Sequence, residues 1–285
     1  MNGVSSAETT VMPFEPVSAD LQGQVAIVTG SGRGFGRAIA ERLIAFGAAV
    51  CLTQRSQQEL DEVAHLLPSD RVIAVAGDVT NQDDVRRVVS ETETRLGPVN
   101  LLVSNAGVHG PLGPVWHVDP DEWWQTQEVH LRGAFLFVSA VMPAMVERKT
   151  GRIITIASNV GLHPSNNYSA YAVAKASQIR LMESVALEGR EHNVAAFAIA
   201  PGTAMTALNL SVMRSPDAQR WMPNLVNHLE RIESESDAEA VMTRCAEVCV
   251  KLASGRYDAL SGQYLDVAWD LDAKMRDLGP ERTAD

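Results

Sequence analysis

Gln24-Val-Ala-Ile-Val-Thr-Gly-Ser-Gly-Arg-Gly-Phe-Gly36 is the stretch on which the reading of this chain turns. Its first half is a continuous apolar run closed by Gly30, the pattern of a strand buried on both faces. Its second half alternates glycine with other residues. Glycines there let the backbone turn sharply and approach a pyrophosphate, whose charge sits at a helix N-terminus. A helical pattern follows, with Phe35, Ile39, Leu43 and Phe46 on one face and Gly47 as the stop signal. A GxGxxG fingerprint begun at Gly30 would need glycine where Phe35 stands. The spacing that fits is TGxxxGxG, carried by Thr29, Gly30, Gly34 and Gly36. Taken alone, such a loop is also compatible with a glycine-rich turn that binds nothing.

The alternation continues outward. Residues 49–53 read as a second buried strand, 56–67 as helix, 71–76 as strand, 81–96 as helix and 99–104 as strand. Asp119-Pro-Asp-Glu122 is a helix start with Asp at the N-cap and Pro at the first helical position. That helix is expected to run, with a kink, to about Glu147. Residues 152–157 read as strand, 168–189 as helix and 194–200 as strand. Residues 203–236 read as irregular, 237–254 as helix and 263–267 as a last short strand. Strands alternating with helices predict an α/β fold, a Rossmann-like doubly wound parallel sheet with helices on both faces. The expected organisation is a flexible extension over 1–22, a single domain over 23–270 with a lid at about 203–236, and a tail over 271–285.

Composition narrows the function. The 285 residues are 46% hydrophobic and 21% charged, and Lys+Arg 24 against Asp+Glu 35 gives a formal charge of −11. Such a surface repels phosphate backbones and anionic lipid, which argues against nucleic acid and membrane as partners. Cys51, Cys245 and Cys249 are too few and too badly spaced for a disulfide framework. Cys245 and Cys249 share a helix face without a third ligand nearby, so core packing is expected and no metal site. The start of the chain lacks the basic and apolar regions of a signal peptide, and no run of about 18 apolar residues stands out. The expected compartment is the cytoplasm.

Further motifs follow in order: Gly77-Asp78-Val79, Ser104-Asn105-Ala106-Gly107, Ser158, Tyr171-Ala-Val-Ala-Lys175 and Pro201-Gly202-Thr203-Ala-Met-Thr206. With the glycine loop they make the chain, over about residues 21–267, resemble the short-chain dehydrogenase/reductase family. The resemblance implies an NAD(P)-dependent oxidoreductase that interconverts a carbonyl and an alcohol on a small molecule. It implies catalytic roles for Ser158, Tyr171 and Lys175. It places Gly30, Arg33, Gly34, Phe35 and Gly36 on the cofactor phosphates, and Asp78 and Val79 on the adenine. Asn105, Ala106 and Gly107, then Pro201, Gly202, Thr203 and Thr206, continue toward the nicotinamide end, where Tyr171 and Lys175 also touch the cofactor. Most relatives form tetramers or dimers through the helices that here carry His130 and Tyr171, so a homotetramer or homodimer is expected. Two departures stand out. Ser104 replaces the first Asn of the family's NNAG motif, and His130 stands where the family usually has Asn.

The chemistry follows from the residues. Hydride delivered to a carbonyl leaves an alkoxide that needs a proton at once, and a free tyrosine, with a pKa near 10, exchanges slowly at neutral pH. Lys175 lies four residues after Tyr171, on the same helix face. Its charge is expected to bring Tyr171 toward the operating pH. Ser158 would hold the carbonyl oxygen by hydrogen bonding. His130 has two readings: a member of a proton relay that charges near pH 6–7, or a polar residue filling a helix kink. Gln54, ending the second strand, is neutral where an acidic residue would bind the NAD ribose. With Arg55 and Arg33 beside it, the expected cofactor is NADP, with NAD the alternative. The lid residues Met205, Leu208, Leu210, Met213, Trp221 and Met222 suit a hydrophobic substrate or, alternatively, pack only on the protein. A different class of function is a redox sensor on the same fold without chemistry, which has no need of Ser158, Tyr171 and Lys175 together.

Overall fold

Apolar runs bounded by glycine and polar turns fold into strands, and amphipathic runs between them into the covering helices. A computed structural model of the chain describes residues 19–278. In chain order the elements are β1 (Val25–Thr29), α1 (Gly34–Ala45), β2 (Ala49–Thr53), α2 (Gln57–Ala64), β3 (Val72–Ala74) and α3 (Gln82–Arg95). Next come β4 (Leu101–Ser104), α4 (Pro120–Gln127), α5 (Gly133–Arg148), β5 (Gly151–Ile156), α6 (Ser169–Gly189) and β6 (Val194–Ala200). The chain continues with α7 (Ala207–Met213), α8 (Pro216–Trp221), α9 (Pro223–Glu235), α10 (Ala238–Ala253), β7 (Tyr264–Asp266) and α11 (Leu271–Asp277).

The seven strands form one parallel sheet in the order β3-β2-β1-β4-β5-β6-β7. The order reverses between β1 and β4, and the crevice beyond the C-terminal strand ends at such a point is where open α/β sheets bind ligands. β6, Val-Ala-Ala-Phe-Ala-Ile-Ala, is buried along its whole length, as an interior parallel strand must be. One core layer packs α1 and α10 on the sheet through residues such as Leu43, Phe197 and Cys249; the other packs α3, α5 and α6 through Val88, Phe137 and Met182. Cys245 and Cys249 both lie buried in the first layer. Asp119 caps α4 by accepting from the Asp121 and Glu122 amides, with Pro120 at its start.

The expected kink is a π turn over Glu128–Arg132 that joins α4 to α5. The whole stretch Pro120–Arg148 is long and apolar enough to cross a membrane, but Leu136, Phe137, Val138, Val141 and Met145 of α5 are core residues against the sheet. Three expectations need correction. Leu21, assigned to the flexible extension, is fully buried and its amide donates to the Phe46 carbonyl at 2.9 Å. Residues 203–236, expected to be irregular, contain the three helices α7, α8 and α9. The expected tail contributes α11, whose Leu271 packs into the first core layer. The rest of the extension and the end of the tail lie outside the described residues.

Candidate active site

β1 and α1 meet in the glycine loop, and the loop's shape is fixed from β4. Asn105 Nδ2 donates to the Thr29 and Gly30 carbonyls, at 2.9 and 3.1 Å, while the Asn105 and Ala106 amides donate to Thr29 Oγ1. Gly30 and Gly34 take positive φ values of +65° and +57°. A Cβ on Gly36 would sit 2.2 Å from the Gly30 carbonyl oxygen. Thus Gly36 serves the packing of loop against helix rather than the cleft wall. The first turn of α1 has no side-chain cap, which leaves its N–H groups facing the loop. A pyrophosphate fits this cradle: glycine backbone at close approach and an uncapped helix start.

The cleft over the strand ends has a volume of about 940 Å³. It brings together every site residue expected from the sequence except Gly36. At its adenosine end Gln54 folds back on the loop, its Oε1 accepting from the Gly32 amide at 3.1 Å and its Nε2 donating to Glu59 at 2.7 Å. Arg33 extends to within 3.9 Å of the same carboxylate and is mostly exposed, as is Arg55. Glu59, on α2, is a cleft residue that sequence reasoning missed; its linear signal is an acidic residue one turn beyond Arg55, three after the helix-capping Ser56.

At the other end Ser158 follows β5, Tyr171 and Lys175 lie on the first turns of α6, and His130 comes from the π turn. Ser158 Oγ accepts from the Val160 amide at 3.3 Å and lines the cleft with Tyr171. Tyr171 stacks on Tyr168 at 4.8 Å and meets the His130 ring edge-on at 5.5 Å. Lys175 Nζ lies 5.4 Å from the Tyr171 ring centre, but its hydrogen bonds run to the Ile156 carbonyl at 2.7 Å and to Gln178 Oε1 at 3.0 Å. Burial dominates the charge balance here. It pushes Tyr171 up to about 12, against the smaller lowering by Ser158, and pushes Lys175 down to about 7. The expectation that Lys175 brings Tyr171 toward neutral pH is therefore corrected: burial sets Tyr171 above its ordinary value, with Ser158 as the smaller opposing influence.

His130 differs from expectation in the same way. Burial, and secondarily the Lys175 charge, push it down to about 3, so it is neutral throughout the ordinary pH range rather than charging near pH 6–7. Its Nε2 lies 3.1 Å from the Val108 amide and 2.7 Å from the Val108 carbonyl, and its Nδ1 is buried without a partner. The ring fills the space over Gly107, where a Cβ would stand 2.5 Å from its Cε1.

A model of the short chain dehydrogenase family matches residues 24–216. The chain belongs to this family. It is 32% identical over 272 residues to a short chain dehydrogenase of Pseudocercospora fijiensis, covering 94% of this chain and 87% of that one. It is 32% identical to an L-rhamnose-1-dehydrogenase of Scheffersomyces stipitis, over 71% of this chain and 81% of the relative. Among solved structures it is similar to levodione reductase, with a TM-score of 0.76 at 27% identity, covering 86% of this chain and 96% of the other. As a short-chain dehydrogenase it acts between CH–OH and C=O groups with a nicotinamide cofactor.

One wall of the cleft in this dehydrogenase comes from the segment expected to form a lid. Leu208 and Val212 of α7 and Leu225 and Leu229 of α9 face the cleft, with Asn209 and His228 at its rim. Most of the lid residues singled out from the sequence turn elsewhere. Met205, Met213 and Met222 pack with Leu112, Ala218 and Val226 beneath the lid. Trp221 lies against His117 at 5.5 Å, and its carbonyl accepts from Asn167 at 2.8 Å.

Proposed function

We propose that this short-chain dehydrogenase reduces a ketone or aldehyde on a mainly apolar small molecule, with Tyr171 as the proton donor. The observation that carries the reading is the convergence of Ser158, Tyr171 and buried Lys175 at the end of a cleft that begins at the glycine loop. When bound, the nicotinamide supplies the hydride. Tyr171, held protonated at neutral pH by burial, is in the form a donor requires. Ser158 donates to the substrate oxygen and aligns it with the Tyr171 hydroxyl. Lys175, in its protonated form, stabilises the tyrosinate left behind. The leucine and valine wall of the lid favours an apolar body near the carbonyl, and Asn209 and His228 favour a polar group at its far end.

We assign the cofactor as NADP. Arg33 and Arg55 border the corner where the adenosine ribose belongs, and Gln54 removes the acidic residue that would favour NAD. Glu59 opposes this preference with one carboxylate against two guanidiniums. Self-association is also proposed: Phe135 on α5 and Val173 and Leu187 on α6 are apolar and exposed on the helices that relatives use. The acidic surface and the buried, unpaired cysteines suit a reducing cytoplasm. The deciding experiment is NADPH and NADH oxidation against a panel of aldehydes, cyclic and aliphatic ketones, and the reverse reaction with secondary alcohols. Turnover of a bulky apolar ketone with NADPH is the expected result. Binding of cofactor with no turnover across the panel would overturn it.

A further inference from the structure

Gln178 lies one turn beyond Lys175 on α6 and is 1% exposed. A glutamine in such a place must satisfy both ends of its amide. Its Oε1 accepts from Lys175 Nζ at 3.0 Å, and its Nε2 donates to the backbone carbonyl of His130 at 2.9 Å. The orientation is forced by the partners. Turning the amide over would set N–H against the ammonium and oxygen against the His130 carbonyl, losing both bonds. Lys175 has one other acceptor, the Ile156 carbonyl, which belongs to β5. The ammonium is thereby tied to the sheet through Ile156 and to the π turn through Gln178.

We propose that Gln178 is a positioning residue whose amide clamps the Lys175 ammonium to the π turn and maintains its charge beside Tyr171. The inference rests on the proposed role of Lys175 in assisting Tyr171. An ammonium has donors only, so each buried acceptor favours its charged form; a residue without an oxygen at position 178 would leave Ile156 alone to do so. The groups that face Lys175 are Tyr171 from α6, neutral His130 from the π turn and the Ile156 carbonyl from β5, with Ser158 lining the same cleft. None of these carries a charge at neutral pH that would substitute for the Gln178 oxygen.

The test uses two variants that act on Lys175 in opposite senses. Gln178→Met keeps the length and removes the acceptor. Gln178→Glu keeps an oxygen on Lys175 and adds negative charge. Lysine occurs only at 149, 175, 251 and 274. Uniform ¹³C,¹⁵N-lysine labelling therefore gives few side-chain signals to follow by NMR, with Lys175 assigned as the one that Lys175→Arg removes. Relative to the parent, the Lys175 titration midpoint is expected to fall by about one pH unit in Gln178→Met and to rise by at least about one in Gln178→Glu. The alkaline limb of kcat for carbonyl reduction should move with it in both variants. Midpoints that stay in place, or that move the same way in both variants, overturn the proposal. Opposite midpoint shifts with an unmoved kcat limb would retain the clamp and instead remove Lys175 from the reaction. Gln178→Glu carries the test by itself if Gln178→Met does not fold.

Discussion

Tyr171 and His130 are both enclosed, and enclosure acts on them with opposite sign because one is neutral when protonated and the other when deprotonated. For Tyr171 the outcome is a hydroxyl that keeps its proton until the substrate oxygen takes it. Tyr171→Phe removes the proton and keeps the ring on Tyr168, so kcat should drop by about 10²–10⁴-fold while NADPH affinity, read by fluorescence titration, changes little. At the ribose corner, Glu59 takes the Gln54 amide and draws Arg33 toward itself. Glu59→Gln would release Arg33 and remove the carboxylate that holds Gln54 and draws in Arg33. The ratio of kcat/KM for NADPH over NADH should then rise by about tenfold, which corresponds to about 1.4 kcal/mol. Steady-state kinetics with both cofactors checks it, and a falling ratio would show that Glu59 orders Arg33 for the phosphate.

At the scale of elements, the strands were legible as continuous apolar runs because both their faces are buried, and the long helices because one buried face imposes a period on the sequence. The Asp119-Pro120 start was read for the same reason that α8 and α9 should have been: Ser215-Pro216 and Met222-Pro223 also put proline at the first helical position. Helices as short as α7 and α8, 7 and 6 residues, are too brief to display a period, so their prolines and asparagines passed for loop. The motif residues were legible through their spacing. Gln178 and Glu59 were not, since one polar residue on a helix gains a role only from what the fold brings against it. Leu21 was misplaced because it follows a polar segment and stands alone, without the neighbours that would mark a buried run. Its burial makes it an anchor for the chain entering β1, and Leu21→Ala should cost about 2–5 kcal/mol in urea denaturation.

For the whole molecule, buried titratable groups translate into stability that varies with pH. His130 is held far below its ordinary value, so the unfolded chain takes up that proton first as pH falls through about 6.5. Stability is therefore lost on acidification, by about 2 kcal/mol between pH 7 and pH 5 from this group alone. The loss should shrink in His130→Asn, with urea midpoints at the two pH values as the measurement. Lys175 works across a different window: its depressed value means that the unfolded chain binds more protons between about pH 7 and 10.5, so its contribution improves as pH rises there. Association through the exposed faces of α5 and α6 should give a dimer or tetramer by sedimentation at micromolar concentration; a monomer would end that proposal. The Glu128–Arg132 turn has a geometrical consequence of its own. A π turn holds one residue more than the α-helix would, and each residue of an α-helix advances by about 100°. Its i→i+5 closure takes up that extra residue within the turn, so α4 and α5 keep nearly the phase of an unbroken α-helix. Excising one residue there should therefore leave Phe137 and Val141 in the core and the Trp123–Ser169 bond in place, while drawing in the widened backbone at His130, whose carbonyl meets Gln178 and whose ring covers Gly107. The extra residue is slack spliced into a continuous rod, spent where the backbone must reach sideways without turning either flank.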